Sequence, residues 1–240
     1  MSNEKPIGIF DSGFGGLTVA RAVMDLLPAE DIVYFGDTAR YPYGPKPLNE
    51  VREFAFQIVE YLINEHDVKL LVVACNTAAA AALDELSAET SVPIIGVIAP
   101  GTQAAIDVSR TGQIGVIGTV GTINSGAYTR AFSTLSGGEI RPMTLACPGF
   151  VEFVEKGEAS GEQLEVLAER LLAPIVSANV DTLLLGCTHY PYLARVIGQV
   201  VGSDVVLVSS ADETAFEVSR QLTEMDLLLK DEKEGKRVFI

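Results

Sequence analysis

The sequence is short of positive charge. Lys and Arg together number 17 of its 240 residues, against 32 Asp and Glu, and the formal net charge is −15. So acidic a chain repels the phosphates of nucleic acids and the headgroups of anionic lipids. We therefore expect neither sequence-independent binding to nucleic acid nor attachment to a membrane surface.

Long apolar runs and paired cysteines are also missing. No apolar run approaches the roughly 20 residues that span a bilayer, and Asn76 and Thr77 interrupt the 71–83 stretch. Three cysteines cannot all pair within one chain, and no signal peptide is recognisable at the N-terminus. The sequence therefore predicts a cytoplasmic protein with reduced thiols and no membrane partner.

What the sequence does contain is a regular alternation of strands and helices. About half of the chain (48%) is apolar, which is enough for one large domain or two small ones. Short apolar runs predict strands over residues 7–10, 32–35, 70–74, 94–98, 114–118, 140–145, 182–186 and 205–208. Helical patterns lie between them, over residues 17–27, 48–64, 77–87, 101–109, 126–135, 161–177, 193–201 and 214–225. A charged tail at 230–237 is expected to be a solvated connection to a last strand at 238–240.

Nearly continuous apolar strands linked by helices are typical of parallel sheets covered on both faces. The two halves of the chain also resemble each other, because one strand runs into Cys75 and a later one into Cys187. We therefore predict an α/β fold of two similar three-layer lobes with mostly parallel sheets. The active site is expected between the lobes, at the carboxyl ends of the strands.

The two cysteine motifs carry the strongest chemical signal. Residues 71–77 read Leu-Val-Val-Ala-Cys-Asn-Thr, and residues 183–189 read Leu-Leu-Leu-Gly-Cys-Thr-His. Each thiol follows a strand and precedes a helix, whose N-terminus favours a thiolate. Two such thiols on opposite sides of one substrate can remove a proton from one face and return it to the other. That arrangement inverts a carbon centre without a cofactor.

Other interpretations of the cysteines remain open at this point. A buried cysteine is often only a small structural hydrophobe. Cys187 and His189 form a Cys-x-His pair, which is a fragment of many zinc sites. Tetrahedral zinc needs further ligands, however, and Cys147 has no partner nearby, while His66 is interpreted as structural. A cysteine hydrolase uses one thiol and leaves the other unexplained.

Three further strand ends carry candidate residues. Residues 10–16, Phe-Asp-Ser-Gly-Phe-Gly-Gly, form a glycine-rich turn that matches neither the dinucleotide pattern nor a P-loop. Asp11 in this turn could orient an ammonium group or tune a thiol. The proline-rich segment 37–45 is either a plain connection or a binding loop. Residues 118–125 offer hydroxyls and N–H groups at a helix start, which suits a carboxylate as well as a simple helix cap.

With these motifs assembled, the chain resembles the glutamate racemases over nearly its whole length. The resemblance rests on residues 9–17, 41–44, 74–77 and 186–191. It implies an isomerase that interconverts L- and D-glutamate without a cofactor and without a metal. Such enzymes supply D-glutamate for peptidoglycan synthesis, and so for cell-wall biogenesis and cell shape.

The resemblance also implies an architecture and an assembly. The first lobe would combine residues 1–97 and 210–240 from both chain ends, and the second would span residues 98–209. The expected assembly is a homodimer, and the expected small-molecule partner is glutamate. No N-terminal extension precedes the first strand, so activation by a cell-wall precursor is not expected.

The resemblance can be carried over residue by residue. The implied substrate-binding residues are Asp11, Ser12, Pro42, Tyr43, Gly44, Cys75, Asn76, Thr77, Thr119, Thr122, Cys187, Thr188 and His189. The implied catalytic thiols are Cys75, which acts on D-glutamate, and Cys187, which acts on L-glutamate. The candidate helpers are Asp11 toward Cys75 and His189 beside Cys187.

The sequence departs from the family's pattern at two places. Glu152 stands where the family usually has a proline, so the assisting glutamate is carried to Glu155. Lys46 is followed by Pro47, where relatives often have serine, which changes the contacts expected of that loop.

Two rival functions remain. One is a related racemase that acts on another acidic substrate, such as aspartate, and the other is a two-lobed binding protein without catalysis. No lysine lies within the motifs, which argues against a pyridoxal phosphate imine. A free thiol titrates near pH ~8.5, so catalysis requires either a lowered thiol pKa or a helper.

Overall fold

The computed structural model describes residues 4–229 and 234–240. Within these residues the chain forms two β-sheets. The strands are β1 (Ile7–Asp11), β2 (Ile32–Gly36), β3 (Leu70–Val73), β4 (Ile94–Gly96), β5 (Ile114–Gly118), β6 (Met143–Ala146), β7 (Thr182–Gly186), β8 (Val206–Ser209) and β9 (Arg237–Phe239). The strand order is β4-β3-β1-β2-β9 in the first sheet and β6-β5-β7-β8 in the second.

Every pair of neighbouring strands runs parallel. The carboxyl ends of all strands in one sheet therefore lie along the same edge, and loops that leave this edge come together. The connecting helices are α1 (Leu17–Leu26), α2 (Leu48–His66), α3 (Asn76–Glu89), α4 (Ile98–Val108), α5 (Val120–Asn124), α6 (Ala127–Leu135), α7 (Phe150–Glu155), α8 (Glu162–Ser177), α9 (Ala194–Val201) and α10 (Ser210–Glu224). A 3₁₀ helix covers Tyr190–Leu193.

Aliphatic side chains on the strands form two cores. The first core fills both faces of the first sheet and continues, through α4, onto one face of the second sheet. The other core lies on the opposite face of the second sheet, around Phe150, Leu183 and Leu185. Fully burying a side chain of this size contributes roughly 1.5–3 kcal/mol. Helix α4 contacts α10 as well as α6 and β7, so it joins the two lobes.

The predicted α/β class and the two parallel-sheet lobes are confirmed. The strands of the first sheet fall within residues 1–97 and 210–240, and those of the second within 98–209. The exact boundaries between the lobes stay a prediction. Of the charged tail at 230–237, residues 230–233 lie outside the described part of the chain, and the last strand begins at Arg237 and pairs with β2.

Two predicted strand boundaries are wrong by more than one residue. The strand predicted over 94–98 ends at Gly96, and α4 begins at Ile98 because Pro100 falls in the first turn of a helix, where its missing N–H costs nothing. The strand predicted over 140–145 begins only at Met143, because Pro142 cannot donate to the sheet. Helices α5 and α7 have no counterpart among the predicted elements, since five or six residues are too few to show a helical period.

Among the described residues, none of the helices combines the length and the apolar character that crossing a bilayer requires.

Candidate active site

Both predicted cysteines lie at the carboxyl ends of strands, one in each sheet. Cys75 follows β3 and is the N-cap residue of α3, and Cys187 directly follows β7. Both thiols are free and almost completely buried, with 5% and 6% of the residue exposed. They line the same cavity, so two similar strand–loop units from different sheets place two thiols around one space.

The cavity between the thiols is small. Its free volume is about 20 Å³, which is room for about one water molecule. It is lined by Ser12, Tyr41, Pro42, Tyr43, Gly44, Cys75, Asn76, Thr77, Thr119, Val151, Cys187, Thr188 and His189. The predicted residues Asp11, Thr122 and Glu155 do not line the cavity, but each is hydrogen-bonded to a residue that does.

Burial dominates the electrostatics of the Cys75 thiol. Burial, with the negative charge of Asp11 as a second cause, raises the pKa of this thiol to about 12. Hydrogen bonds from the backbone of Ala78 and from Ser12, whose Oγ lies 3.6 Å from Sγ, act in the opposite direction. The expectation that the helix N-terminus makes this group a thiolate is therefore wrong for this site, because burial outweighs the helix.

Cys187 has a different neighbour. Its Sγ lies 3.8 Å from Nδ1 of His189. Burial raises the pKa of this thiol as well, while the backbone N–H groups of His189 and Tyr190 lower it. The imidazole is thus the one titratable side chain within hydrogen-bonding reach of Cys187 among the described residues.

His189 connects Cys187 to a carboxylate. Its Nε2 lies 2.5 Å from Oε1 of Glu155, at the end of α7. A histidine whose second nitrogen meets a carboxylate is fixed in its orientation and its tautomer. Glu152, one helical turn earlier, lines a neighbouring cavity instead. The geometry therefore favours Glu155 over Glu152 as the assisting glutamate.

Asp11 is completely buried and joins the two lobes. Its carboxylate accepts hydrogen bonds from the backbone of Gly13 at 3.0 Å and from the Thr188 hydroxyl at 3.3 Å. Burial raises its pKa, and the charge of His189 and the backbone N–H groups of Gly13 and Gly16 act against that rise. Asp11 therefore contacts the Cys187 loop directly, although the sequence placed it only with Cys75.

The glycine-rich turn after β1 closes around this carboxylate. A Cβ atom at Gly16 would collide with the side chain of Asp11, and one at Gly15 would collide with the His189 ring. The turn thus uses its N–H groups on a carboxylate of its own chain. Glycine at both positions allows the close approach that brings Asp11 and His189 together.

A cluster of three hydroxyls connects the lobes on the other side of the cavity. Thr77 lies 3.0 Å from Thr119 and 3.1 Å from Thr122, and the last two are 2.9 Å apart. Thr77 begins α3 and the other two begin α5, so both helix N-termini meet here. Hydroxyls at helix N-termini suit a carboxylate ligand, as the sequence predicts.

Asn76 is held across the lobe boundary. Its Nδ2 donates to the Tyr128 hydroxyl on α6 at 2.7 Å, and its buried Oδ1 has no hydrogen-bond partner among the described residues. Tyr128 also lies against Gly186, just before Cys187. An unpaired buried acceptor that lines the cavity is a place for a donor on the substrate.

Sequence reasoning missed three residues around the site, namely Tyr41, Tyr128 and Val151. Tyr41 belongs to a recognised motif but has no predicted role, and its buried hydroxyl has no partner within the described part of the chain. Tyr128 lies in an ordinary helical pattern and Val151 in α7, which is too short to show one, so nothing in their sequence context marks them. Within residues 4–229 and 234–240, no group of three or more His, Cys, Asp and Glu side chains is arranged to hold a metal ion.

Comparisons with known proteins agree with this geometry. Residues 17–217 match the family model described as Asp/Glu/Hydantoin racemase. A glutamate racemase from Parafrankia sp. is 53% identical over 94% of this chain and 80% of its own length.

Solved structures show the same fold. The crystal structure of glutamate racemase isoform RacE1 from Bacillus anthracis is 44% identical, covers 99% of this chain and 88% of its own, and superposes with a TM-score of 0.93. The racemase from Francisella tularensis, solved with D-glutamate, is 36% identical over 99% of this chain and 88% of its own, with a TM-score of 0.91. This chain therefore belongs to the Asp/Glu/hydantoin racemase family.

Proposed function

We propose that this protein interconverts L- and D-glutamate by proton transfer between two cysteines, without a cofactor. The observation that carries the proposal is the placement of Cys75 and Cys187, two thiols from different sheets, around one cavity. Relatives named glutamate racemase, 44–54% identical over nearly the whole chain, support glutamate as the substrate.

The reaction is a transfer of one proton at each face of Cα. From L-glutamate, a Cys187 thiolate takes the Cα proton and becomes a thiol, which leaves a carbanion. The Cys75 thiol gives its proton to the opposite face and becomes a thiolate, and the product is D-glutamate. The reverse reaction exchanges the two roles, so protons and charges balance in both directions.

Substrate binding favours the thiolate. Burial raises the pKa of both thiols. The ammonium group of glutamate brings positive charge into this buried space and favours the thiolate. The imidazole of His189, 3.8 Å from Cys187 and backed by Glu155, is placed to accept the proton that Cys187 releases. Cys75 instead has the Ser12 hydroxyl at comparable range, 3.6 Å from its Sγ.

The remaining cavity groups match the functional groups of glutamate. The Thr77 and Thr119 hydroxyls, which are hydrogen-bonded to Thr122 behind them, suit a carboxylate, and Asp11, hydrogen-bonded to Thr188 in the cavity wall, supplies negative charge for the ammonium. The unpaired Oδ1 of Asn76 is a second acceptor. Fixed dipoles in a closed space stabilise the carbanion better than water would, because they need no reorganisation.

The direct test is the circular dichroism of L-glutamate incubated with purified protein and no added cofactor. We expect the signal to decay to zero, and an unchanged signal would contradict the proposal. Parallel incubation with L-aspartate distinguishes a racemase specific for glutamate from a related racemase that also acts on aspartate. Treatment with EDTA should leave the rate unchanged, since the mechanism uses no metal.

The cellular role follows from the product. We propose that the enzyme works in the cytoplasm and supplies D-glutamate for peptidoglycan synthesis, and that it forms a homodimer. Sedimentation velocity tests the assembly, and a monomer at micromolar concentration would contradict that part of the proposal. Depletion of the protein in its host should be rescued by external D-glutamate.

A further inference from the structure

The loop between β2 and α2 brings Pro42, Tyr43 and Gly44 to the cavity, and its anchor is a buried carboxylate outside the cavity. Asp37 directly follows β2 and is only 4% exposed. Its Oδ2 accepts a short hydrogen bond from the Tyr43 hydroxyl and a second, of 2.6 Å, from Nε of Arg40. A buried carboxylate with one cation and one hydroxyl on the same oxygen fixes both donors.

Arg40 and Tyr43 are also fixed to helix α2. Arg40 donates to Oε1 of Gln57 at 2.6 Å, and its guanidinium lies 4.3 Å from the centre of the Phe54 ring. The Tyr43 ring packs against the same Phe54, with 5.6 Å between ring centroids. The loop is therefore tied both to the end of β2 and to the helix that follows it.

The far side of the loop contacts the second lobe. The carbonyl of Gly44 accepts a hydrogen bond from the backbone of Gly121 at 2.9 Å. A Cβ atom at Gly44 would lie 2.9 Å from the side chain of Thr119, so the loop is pressed directly against the hydroxyl cluster. The position of this loop thus sets the width of the cavity between Tyr43 and Thr119.

We propose that Asp37 is a positioning residue, which holds this loop at the width that the substrate requires by binding the Tyr43 hydroxyl and Arg40. The proposal rests on the proposed function, since the loop is argued to bind glutamate. Asp37 does not line the cavity and touches no reacting atom. Burial and Asp37 together raise the pKa of Tyr43, so its hydroxyl stays a donor at any physiological pH.

The kinetic test compares Tyr43→Phe with Tyr61→Phe, which removes a hydroxyl from a tyrosine that is 40% exposed on α2. Losing a hydrogen bond to a charged group should raise KM roughly tenfold for both enantiomers, with kcat changed less than about twofold. Tyr61→Phe should change neither constant. Asp37→Asn should likewise raise KM with little change in kcat. The KM of the double variant Asp37→Asn/Tyr43→Phe should be no higher than that of the more impaired single variant, because the two residues act through one hydrogen bond.

A second readout does not depend on activity. Amide hydrogen exchange in peptides covering residues 41–48 and 119–126 should be faster in Tyr43→Phe and unchanged in Tyr61→Phe. Should Tyr43→Phe fail to fold, Arg40→Gln, at a partly exposed side chain, gives the same comparison.

The outcomes separate the two proposals. Absence of glutamate racemisation in the wild-type protein overturns the proposed function, while the exchange data still decide whether Asp37 anchors the loop. Unchanged KM together with unchanged exchange in folded Tyr43→Phe overturns the anchor and leaves the proposed function standing. A lowered kcat with unchanged KM in Tyr43→Phe would also overturn the positioning role of Asp37.

Discussion

At the scale of single residues, the proposed mechanism depends on the protonation state of the two thiols. Burial raises the pKa of both Cys75 and Cys187 by more than the helix N-terminus and the nearby hydrogen-bond donors lower it, so neither site favours a thiolate. This differs from a cysteine hydrolase, which needs a preformed nucleophile. For a racemase a raised thiol pKa is an advantage, since one thiol must stay protonated to act as an acid while the other acts as a base.

Removal of either thiol should therefore abolish racemisation. We expect Cys75→Ala and Cys187→Ala each to lose all measurable activity, and the corresponding serine variants to be nearly as damaged because a hydroxyl is far less acidic. Cys147→Ser is the matched control, since that thiol is equally buried but lies outside the cavity. Racemisation by either single alanine variant, assayed by circular dichroism, would show that two thiols are not needed.

The raised pKa values predict slow reaction of the thiols with iodoacetamide. For Cys75 the pKa is about 12, so the thiolate fraction, and with it the alkylation rate, should keep rising with pH beyond 9. A free cysteine levels off near its ordinary pKa of ~8.5. Site-resolved mass spectrometry of the unliganded protein checks this, and a rate at Cys75 or Cys187 that levels off below pH 8 would disprove it.

His189 should act mainly in one direction, because it lies beside Cys187. We expect His189→Asn to slow proton abstraction from L-glutamate more than from D-glutamate, with a loss of ~100-fold or more. The ratio of kcat/KM values is fixed, since the equilibrium constant between enantiomers is one. The asymmetry should appear in the separate kcat values and in isotope effects with Cα-deuterated substrates.

The same measurement on Asp11→Asn should show a weaker asymmetry. Asp11 raises the pKa of both thiols and binds Thr188 in the loop of Cys187. Identical changes in both directions for His189→Asn would show that the imidazole does not serve Cys187 alone.

At the scale of elements, the candidate site lies at the carboxyl ends of the strands, and a buried ion pair that we expect to stabilise the fold lies at the amino ends. All site loops leave the carboxyl ends, whereas the buried ion pair of Lys69 and Glu30 stands just before β3 and β2, at their amino ends. Lys69 Nζ lies 2.6 Å from Glu30 and donates to the carbonyl of Leu227 at 2.9 Å. The pair thereby ties the segment after α10 to the first sheet.

We expect Lys69→Met to destabilise the protein without changing its kinetics. Removing one partner leaves Glu30 buried and uncompensated, which typically costs ~3–5 kcal/mol. The double variant Glu30→Gln/Lys69→Met should recover part of that loss. Urea unfolding gives the stability, and assays well below the transition give kcat. A loss under about 1 kcal/mol, or a changed kcat in the folded protein, would contradict this division between the two ends of the sheet.

The sequence predicts elements well where a long apolar pattern fits only one type of secondary structure. Strands β5 and β7 are predicted to the residue, and α8 to within one residue. It fails where one pattern fits two structures, as at Ile98, which an apolar strand or a buried helix can accommodate equally. It also fails for α7, whose six residues carry Glu155, so a helix that contributes to the site is too short to give a local signal.

At the scale of the whole molecule, the active site exists only because the two lobes meet. Asp11 with Thr188, Asn76 with Tyr128, and Thr77 with Thr119 each join residues far apart in the sequence. Motifs could name most of these residues, because strand ends in parallel sheets collect ligands. Their pairing, and the role of Tyr128, depend on long-range packing that no local pattern encodes.

The central claim is that the two thiols act on opposite faces of one carbon, and racemisation in D₂O tests it most directly. Starting from protiated L-glutamate, the first D-glutamate formed should carry deuterium at Cα, because its proton comes from a thiol equilibrated with solvent. The remaining L-glutamate should still carry protium at early times, since Cys187 removes that proton only in turnover. Early D-glutamate that retains the original protium would mean that one base carries the proton across, and would contradict the account.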